Sequence, residues 1–141
     1  MPLTAAEKAA IKAIWAKAAS REAELGAEVL GRLFKAYPQT KTYFIHYDLR
    51  EGSKDMLNQG AKVMKAIGSA AHHMDDLDHA VSSFSELHAH KLMAEPGNFK
   101  LLSRSMEETM ASHFPKEFSS TTKAAWDKFL AAVSSALVSK Y

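Results

Sequence analysis

Apolar residues recur every three to four positions along most of the chain, and this spacing predicts amphipathic α-helices rather than strands. The pattern predicts six substantial helices, over residues 5–19, 21–36, 53–72, 79–93, 96–113 and 120–138. Proline residues such as Pro38 and Pro115 fall between the helices, where a helix must end. No segment shows the strict alternation of a strand, so we predict an all-α fold with short connecting helices.

Three local signals refine the expected helix boundaries. Thr4 and Glu7 have the spacing of a capping box, in which each side chain accepts a hydrogen bond from the other residue's backbone amide. Pro38 can open a short helical turn, and residues 43–52 contain aromatics without a clear period, which predicts an ordered loop. Pro96 suits the first position of the fifth helix, where its missing N–H is harmless.

Length and charge narrow the class of protein. The 141 residues fit one domain over residues 1–141, and 18 basic against 16 acidic side chains predict no nucleic-acid partner. The chain has no cysteine, so it can form neither disulfides nor thiolate metal sites. Its amino terminus has lysines within the apolar pattern, so we expect neither a signal peptide nor a membrane span and predict a soluble intracellular protein.

Two histidines one residue apart, His88 and His90, are candidates for metal binding. Successive helical residues differ by about 100°, so these side chains point about 200° apart and cannot bind one ion together. His90 is expected to face solvent. His88 is expected to share an apolar face with Val81, Phe84, Leu87 and Leu92.

Gln59 is the second polar side chain expected on an apolar face. Its predicted helix also carries, on the same side, Met56, Val63, Ala66, Ile67 and Ala70. Burying an unpartnered polar group costs about 1 to 3 kcal/mol, so we expect Gln59 and His88 to share a partner. Either they hydrogen-bond to each other, or a flat apolar macrocycle with a central metal lies between them.

Other polar clusters predict no chemistry. His72 and His73 are adjacent at a helix end, so their side chains diverge and are expected to be solvated. Glu107 and Glu108 lie on the polar side of their helix, and we expect neither to face a pocket.

Several motifs, spread from end to end, make the chain resemble the α-type globins of vertebrate haemoglobins. In order, they are PQTKTYF at 38–44, HYDL at 46–49, ELHAHKL at 86–92, NFKLLS at 98–103, DKFL at 127–130 and SKY at 139–141. The resemblance implies the globin fold and a haem b cofactor.

The resemblance also assigns roles to individual residues. His88 matches the proximal iron ligand, Gln59 the distal position, Phe44 the aromatic that packs on the haem, and His46 and Lys62 groups near the propionates. Other pocket-lining positions are matched by Tyr43, Val63, Ala66, Ile67, Phe84, Leu87, Leu92, Ala94, Asn98, Phe99, Leu102, Leu130 and Leu137.

The function implied by this resemblance is reversible binding of dioxygen and other diatomic ligands for transport or storage, rather than enzymatic turnover. Gln59 departs from the family's usual distal histidine; its amide can donate a hydrogen bond but has no titratable nitrogen. Nitric oxide dioxygenase or nitrite reductase chemistry is the enzymatic alternative. A haem-free helical interaction module is the third hypothesis.

The resemblance implies a β-type globin partner, or self-association, and a cytoplasmic location in an erythrocyte-type cell. Lys35, Ser105, Glu108 and Lys123 match positions of the tight contact between α and β chains, where the family has mostly apolar or small residues. The sequence also stops at Tyr141, without the family's terminal arginine. Either a standard tetramer does not form, or a partner carries compensating charges.

Overall fold

The computed structural model describes residues 3–81 and 96–140, and within these ranges it contains helices and no strand. In chain order the α-helices are α1 (Ala5–Ala18), α2 (Glu22–Ala36), α3 (Lys54–His72), α4 (Leu77–Ala80), α5 (Pro96–His113) and α6 (Ser120–Lys140). Two 3₁₀ helices span Ala19–Arg21 and Pro38–Phe44. The predicted all-α fold is confirmed, while most of the helix predicted over residues 79–93, with His88, lies outside the described residues.

The predicted capping signals are present at the helix starts. The Thr4 backbone N–H donates to Glu7 Oε1 at 2.8 Å, and the Glu7 N–H donates to Thr4 Oγ1 at 3.1 Å. Ser53 caps α3 in the same way, since its Oγ accepts from the Met56 N–H at 3.2 Å. Pro96 is the first residue of α5, as predicted. Side-chain acceptors therefore pair with backbone amides that the starts of α1 and α3 would leave free, and Pro96 has no such amide at the start of α5.

Some predicted boundaries were wrong by a few residues. The turn after Pro38 continues as a 3₁₀ helix through Phe44, so the loop expected from residue 43 begins at Ile45. The helix expected from residue 79 begins at Leu77, because the Asp76 side chain accepts from the His79 N–H at 3.4 Å and caps it there. The last helix runs to Lys140. Helix ends are set by such local hydrogen bonds, which apolar periodicity does not contain.

Helices α2 and α3 cross in direct backbone contact at two glycines. A Cβ atom added to Gly26 would overlap the carbonyl group of Gly60, and one added to Gly60 would overlap the backbone between Gly26 and Ala27. Only glycine permits this approach, because it has no side chain beyond Cα. The crossing holds α3 against the core and so positions the helix that carries Gln59.

The core is continuous through α1, α2, α3, α5 and α6. Trp15 of α1 and Trp126 of α6 stack with ring centroids 5.8 Å apart and an interplanar angle of 15°. Gly68 of α3 faces the Trp15 indole so closely that a Cβ atom there would overlap the ring. These contacts join the two terminal helices to α3.

Candidate functional site

One face of α3 is apolar except for Gln59. The side chains on this face that are buried, as predicted from their spacing, are Met56, Gln59, Val63, Ala66, Ile67 and Ala70. Gln59 is only 4% exposed. The i, i+3, i+4 and i+7 spacing places an amide within an apolar helix face, where hydrogen bonding is strong because little water competes.

The 3₁₀ helix Pro38–Phe44 adds two aromatic residues that the resemblance assigns to the site. Phe44 is 1% exposed and packs edge to face against Phe34 at 5.3 Å and Tyr47 at 6.0 Å, measured between ring centroids. The Asn98 side-chain amide donates to the Tyr43 hydroxyl at 2.6 Å. This hydrogen bond ties the 3₁₀ helix to the first turn of α5.

Helices α5 and α6 supply further apolar residues that were predicted to line the site. Phe99, Leu102, Leu130 and Leu137 are all buried, and they belong to the same continuous core as Phe44, Val63 and Ile67. Their burial fits an apolar lining. It also fits ordinary core packing, so the assignment of these positions to a cofactor site stays a prediction.

Two predicted site residues are charged or titratable and exposed. Lys62 projects from the solvent side of α3, and His46 lies in the loop after the 3₁₀ helix. Exposed positions suit their predicted role near the carboxylates of a cofactor edge. The remaining predicted site residues lie outside the described residues: Phe84, Leu87, His88, Leu92 and Ala94.

Helices α5 and α6 also border an open surface cavity of about 510 Å³ that the sequence did not predict. Glu107 lines it, which corrects the expectation that Glu107 faces no pocket, and its side chain is only 14% exposed. Lys123 Nζ lies 3.1 Å from Asp127 Oδ2 and 3.7 Å from Glu107 Oε2. The expectation failed because Glu107 borders the seam between two helices, where α6 covers it.

The surroundings of the two carboxyl groups in this cavity shift their pKa values in opposite directions. Burial, reinforced by the hydrogen-bonded Asp127 carboxylate, raises the pKa of Glu107 to about 7. The hydrogen bond from Glu107, with a smaller contribution from Lys123, lowers the pKa of Asp127. Below about pH 7 the pair therefore holds one proton, on Glu107, and it loses this proton as the pH rises above 7.

Two of the three charged residues expected at a partner contact have partners within the chain. Arg32 Nη1 lies 3.8 Å from Glu108 Oε2, and Lys123 pairs with Asp127 as described above. Ser105 is buried, whereas Lys35 is exposed. His72 and His73 are exposed, in keeping with the prediction that they are solvated.

A comparison with known protein families shows to which family the chain belongs. The profile of the Globin family matches residues 27–137, which is most of the chain. The chain belongs to the globin family.

This globin is similar over its whole length to amphibian haemoglobin α subunits. It is 59% identical to hemoglobin subunit alpha-5 and 57% identical to hemoglobin subunit alpha-3, both of Xenopus laevis. It is 50% identical to the hemoglobin larval subunit alpha of Pleurodeles waltl. Each comparison covers 100% of this chain and 99% of the relative. The recognition of an α-type vertebrate globin from its sequence motifs is therefore confirmed.

Two features of the globin's site were missed by sequence reasoning. The Tyr43 and Asn98 side chains were each assigned to the pocket, but their direct hydrogen bond was not foreseen. The contact between Glu107 and Asp127 has no local signal, because the two residues lie on different helices.

Within the described ranges, no helix is long and apolar enough to cross a membrane.

Proposed function

We propose that this globin binds haem b and carries dioxygen reversibly, for transport or storage. The proposal is supported by full-length similarity to haemoglobin α subunits and, within the chain, by the burial of Gln59 on an apolar helix face. The burial of Gln59 is the observation that matters most, because a distal group must be held beside the ligand in surroundings that exclude water.

The described residues fit a flat apolar cofactor. The apolar face of α3, Phe44 and the buried residues of α5 and α6 provide the apolar groups, and Gln59 is the polar side chain on that face of α3. Lys62 and His46 are exposed and can meet cofactor carboxylates at the solvent edge. We therefore propose the predicted lining residues, including those outside the described ranges, as the haem-binding set.

Haem would supply a ferrous iron that accepts a diatomic ligand. The chain's contribution begins with His88, which we propose as the iron ligand on the strength of its match to the proximal position. One nitrogen of a neutral imidazole is a suitable ligand for iron. The other ring nitrogen can then donate a hydrogen bond that orients the ring. The apolar lining keeps out water and protons. This favours release of the ligand unchanged over oxidation of the iron.

Gln59 is the residue that would contact the bound ligand in this proposal. Its side-chain NH₂ can donate a hydrogen bond to a ligand that carries partial negative charge. It has no group that titrates between pH 5 and 8, unlike the imidazole usual at this position in the family. Distal stabilisation is therefore expected to be independent of pH over this range, and the residue cannot relay protons to the ligand.

The first test is the absorption spectrum of the full-length chain supplemented with haem. We expect a Soret band that shifts reversibly on oxygenation. His88→Ala should abolish the ligated spectrum, whereas the matched variant His90→Ala should leave it unchanged. Absence of a Soret band in the parent chain would contradict the proposal, and equal spectra for both variants would reject His88. Fast turnover of nitric oxide with a reductase would instead favour the enzymatic alternative.

The same similarity supports proposals on assembly and location. We propose that the chain associates with a β-type globin or with itself, and that it works in the cytoplasm of an erythrocyte-type cell. The haemoglobin α subunits it resembles are, by their names, parts of larger assemblies.

A further inference from the structure

The cavity between α5 and α6 contains three charged side chains that meet across the two helices. Glu107 comes from α5, and Asp127 and Lys123 come from successive turns of α6. Lys123 lies within 4 Å of both carboxyl groups, at 3.1 Å from Asp127 and 3.7 Å from Glu107. One ammonium group balances one carboxylate, so a second ionised carboxylate leaves the cluster with an excess negative charge.

The neighbouring charges do not remove this imbalance. On α5, Lys100 and Arg104 border the same cavity, and both are exposed to solvent. On the other side of α5, Arg32 and Glu28 of α2 interact with Glu108 and His113 rather than with Glu107. Within the described part of the chain, Lys123 is thus the cation that contacts the carboxyl pair.

We infer that Glu107, Asp127 and Lys123 form a proton-controlled latch between α5 and α6. With one proton on the pair, the Glu107 carboxyl donates a hydrogen bond to the Asp127 carboxylate, and Lys123 neutralises the remaining charge. Loss of that proton to solvent converts the hydrogen bond into repulsion between two carboxylates that share one ammonium group, and Glu107, whose side chain is only 14% exposed, is poorly hydrated there. The latch then weakens the seam between the two helices. This inference does not depend on haem binding.

The raised pKa of Glu107 determines whether the folded chain becomes more or less stable as the pH rises. The pKa of Glu107 is about 7 in the folded chain, above its ordinary value of 4.5. The folded state therefore binds more protons than the unfolded state between these values, so stability falls as pH rises through about 7. For a single group with these two values, the folding equilibrium constant falls about tenfold between pH 6 and pH 8.

The test compares the full-length chain with Glu107→Gln, which keeps a neutral hydrogen-bond donor at the site. Glu108→Gln is the matched control, because it changes the adjacent, 65% exposed glutamate on the same helix. Denaturant unfolding is measured from pH 5 to pH 8.5. We expect the folding constant of the parent, relative to Glu107→Gln, to fall about tenfold from pH 6 to pH 8, and Glu108→Gln to follow the parent.

Carboxyl ¹³C NMR titration of the parent gives a second readout that does not require any variant to fold. One glutamate should titrate near pH 7, and Asp127→Asn should shift that midpoint downward by removing the neighbouring charge. The latch is wrong if every glutamate titrates near its ordinary pKa. It is also wrong if Glu107→Gln and the parent show the same pH dependence.

Discussion

In the proposed function, Gln59 is the side chain that would act on the bound ligand. It is buried on the apolar face of α3, where helix geometry rather than a loop holds it in place. An amide in such surroundings makes stronger hydrogen bonds than it would in water. Its effect on ligand affinity is therefore expected to come from one donor group that is always in the same protonation state.

Replacing Gln59 by Leu tests this directly. A hydrogen bond to the ligand contributes about 1 kcal/mol, so we expect Gln59→Leu to lower oxygen affinity about fivefold. The ratio of the two affinities should be the same at pH 6 and pH 8, because the amide does not titrate. Oxygen equilibrium curves of the haem-supplemented chain measure both quantities.

Gln39→Leu is the control for this substitution, since Gln39 is exposed in the 3₁₀ helix. It should leave oxygen affinity unchanged. Equal affinities for the parent and Gln59→Leu would show that Gln59 does not contact the ligand. A ratio that varies strongly with pH would show that a titrating group takes part.

The crossing of α2 over α3 decides where the α3 face lies. Gly26 and Gly60 let the two backbones touch, so that any side chain at either position must push the helices apart. Close backbone approach of this kind sets both the distance and the angle of a helix pair. Gln59 is the residue before Gly60, so the contact between Gly60 and α2 also fixes where Gln59 lies.

Two glycine substitutions on α2 are expected to have opposite effects. Gly26→Ala would overlap the Gly60 backbone and should lower the free energy of unfolding by about 1 to 3 kcal/mol or more. Gly31→Ala, whose new Cβ would have no heavy atom within 4 Å apart from the neighbouring backbone of its own helix, should raise it by about 0.5 to 1 kcal/mol. Denaturant unfolding of the full-length chain measures both. Similar values for the two variants would mean that the helices do not meet at Gly26.

At the scale of the whole molecule, ion pairs join elements that are distant in the chain. Lys128 Nζ of α6 lies 2.8 Å from Glu7 Oε1 at the start of α1, and Lys17 Nζ lies 2.9 Å from Glu117 Oε1. Such partly exposed pairs contribute little individually, because water and salt screen them. The outer faces of α2, α5 and α6 carry ion pairs such as Arg32 with Glu108, and also the exposed Lys35, so a partner that docks there must accommodate both.

Sedimentation of the chain, alone and mixed with a β-type globin, tests the partner proposal. We expect the mixture to sediment faster than either chain, and Glu108→Arg to weaken the complex about three- to tenfold through the loss of about 1 kcal/mol. Glu51→Arg, which changes an exposed loop residue, should have no effect. A mixture that sediments as separate chains would contradict association with a β-type chain. Equal behaviour of the two variants would place the contact elsewhere.

The amino-acid sequence alone determined what depends on neighbours along the chain. Apolar spacing predicted the helices, Thr4 and Glu7 predicted a cap that is present, and the motifs identified a globin. It also placed Gln59 on the buried side of its helix, because helical periodicity follows from the positions of nearby residues. The proximal role of His88 stays a prediction from the resemblance.

Only the tertiary structure decided which distant residues meet. The hydrogen bond between Tyr43 and Asn98 joins residues 55 positions apart, and the Gly26–Gly60 crossing depends on how two helices pack. The sequence predicted that Glu107 lies on the polar side of its own helix. In the structure α6 covers Glu107 and brings Asp127 beside it. The physical reason is that burial and charge pairing depend on packing between elements, whereas periodicity records one element at a time.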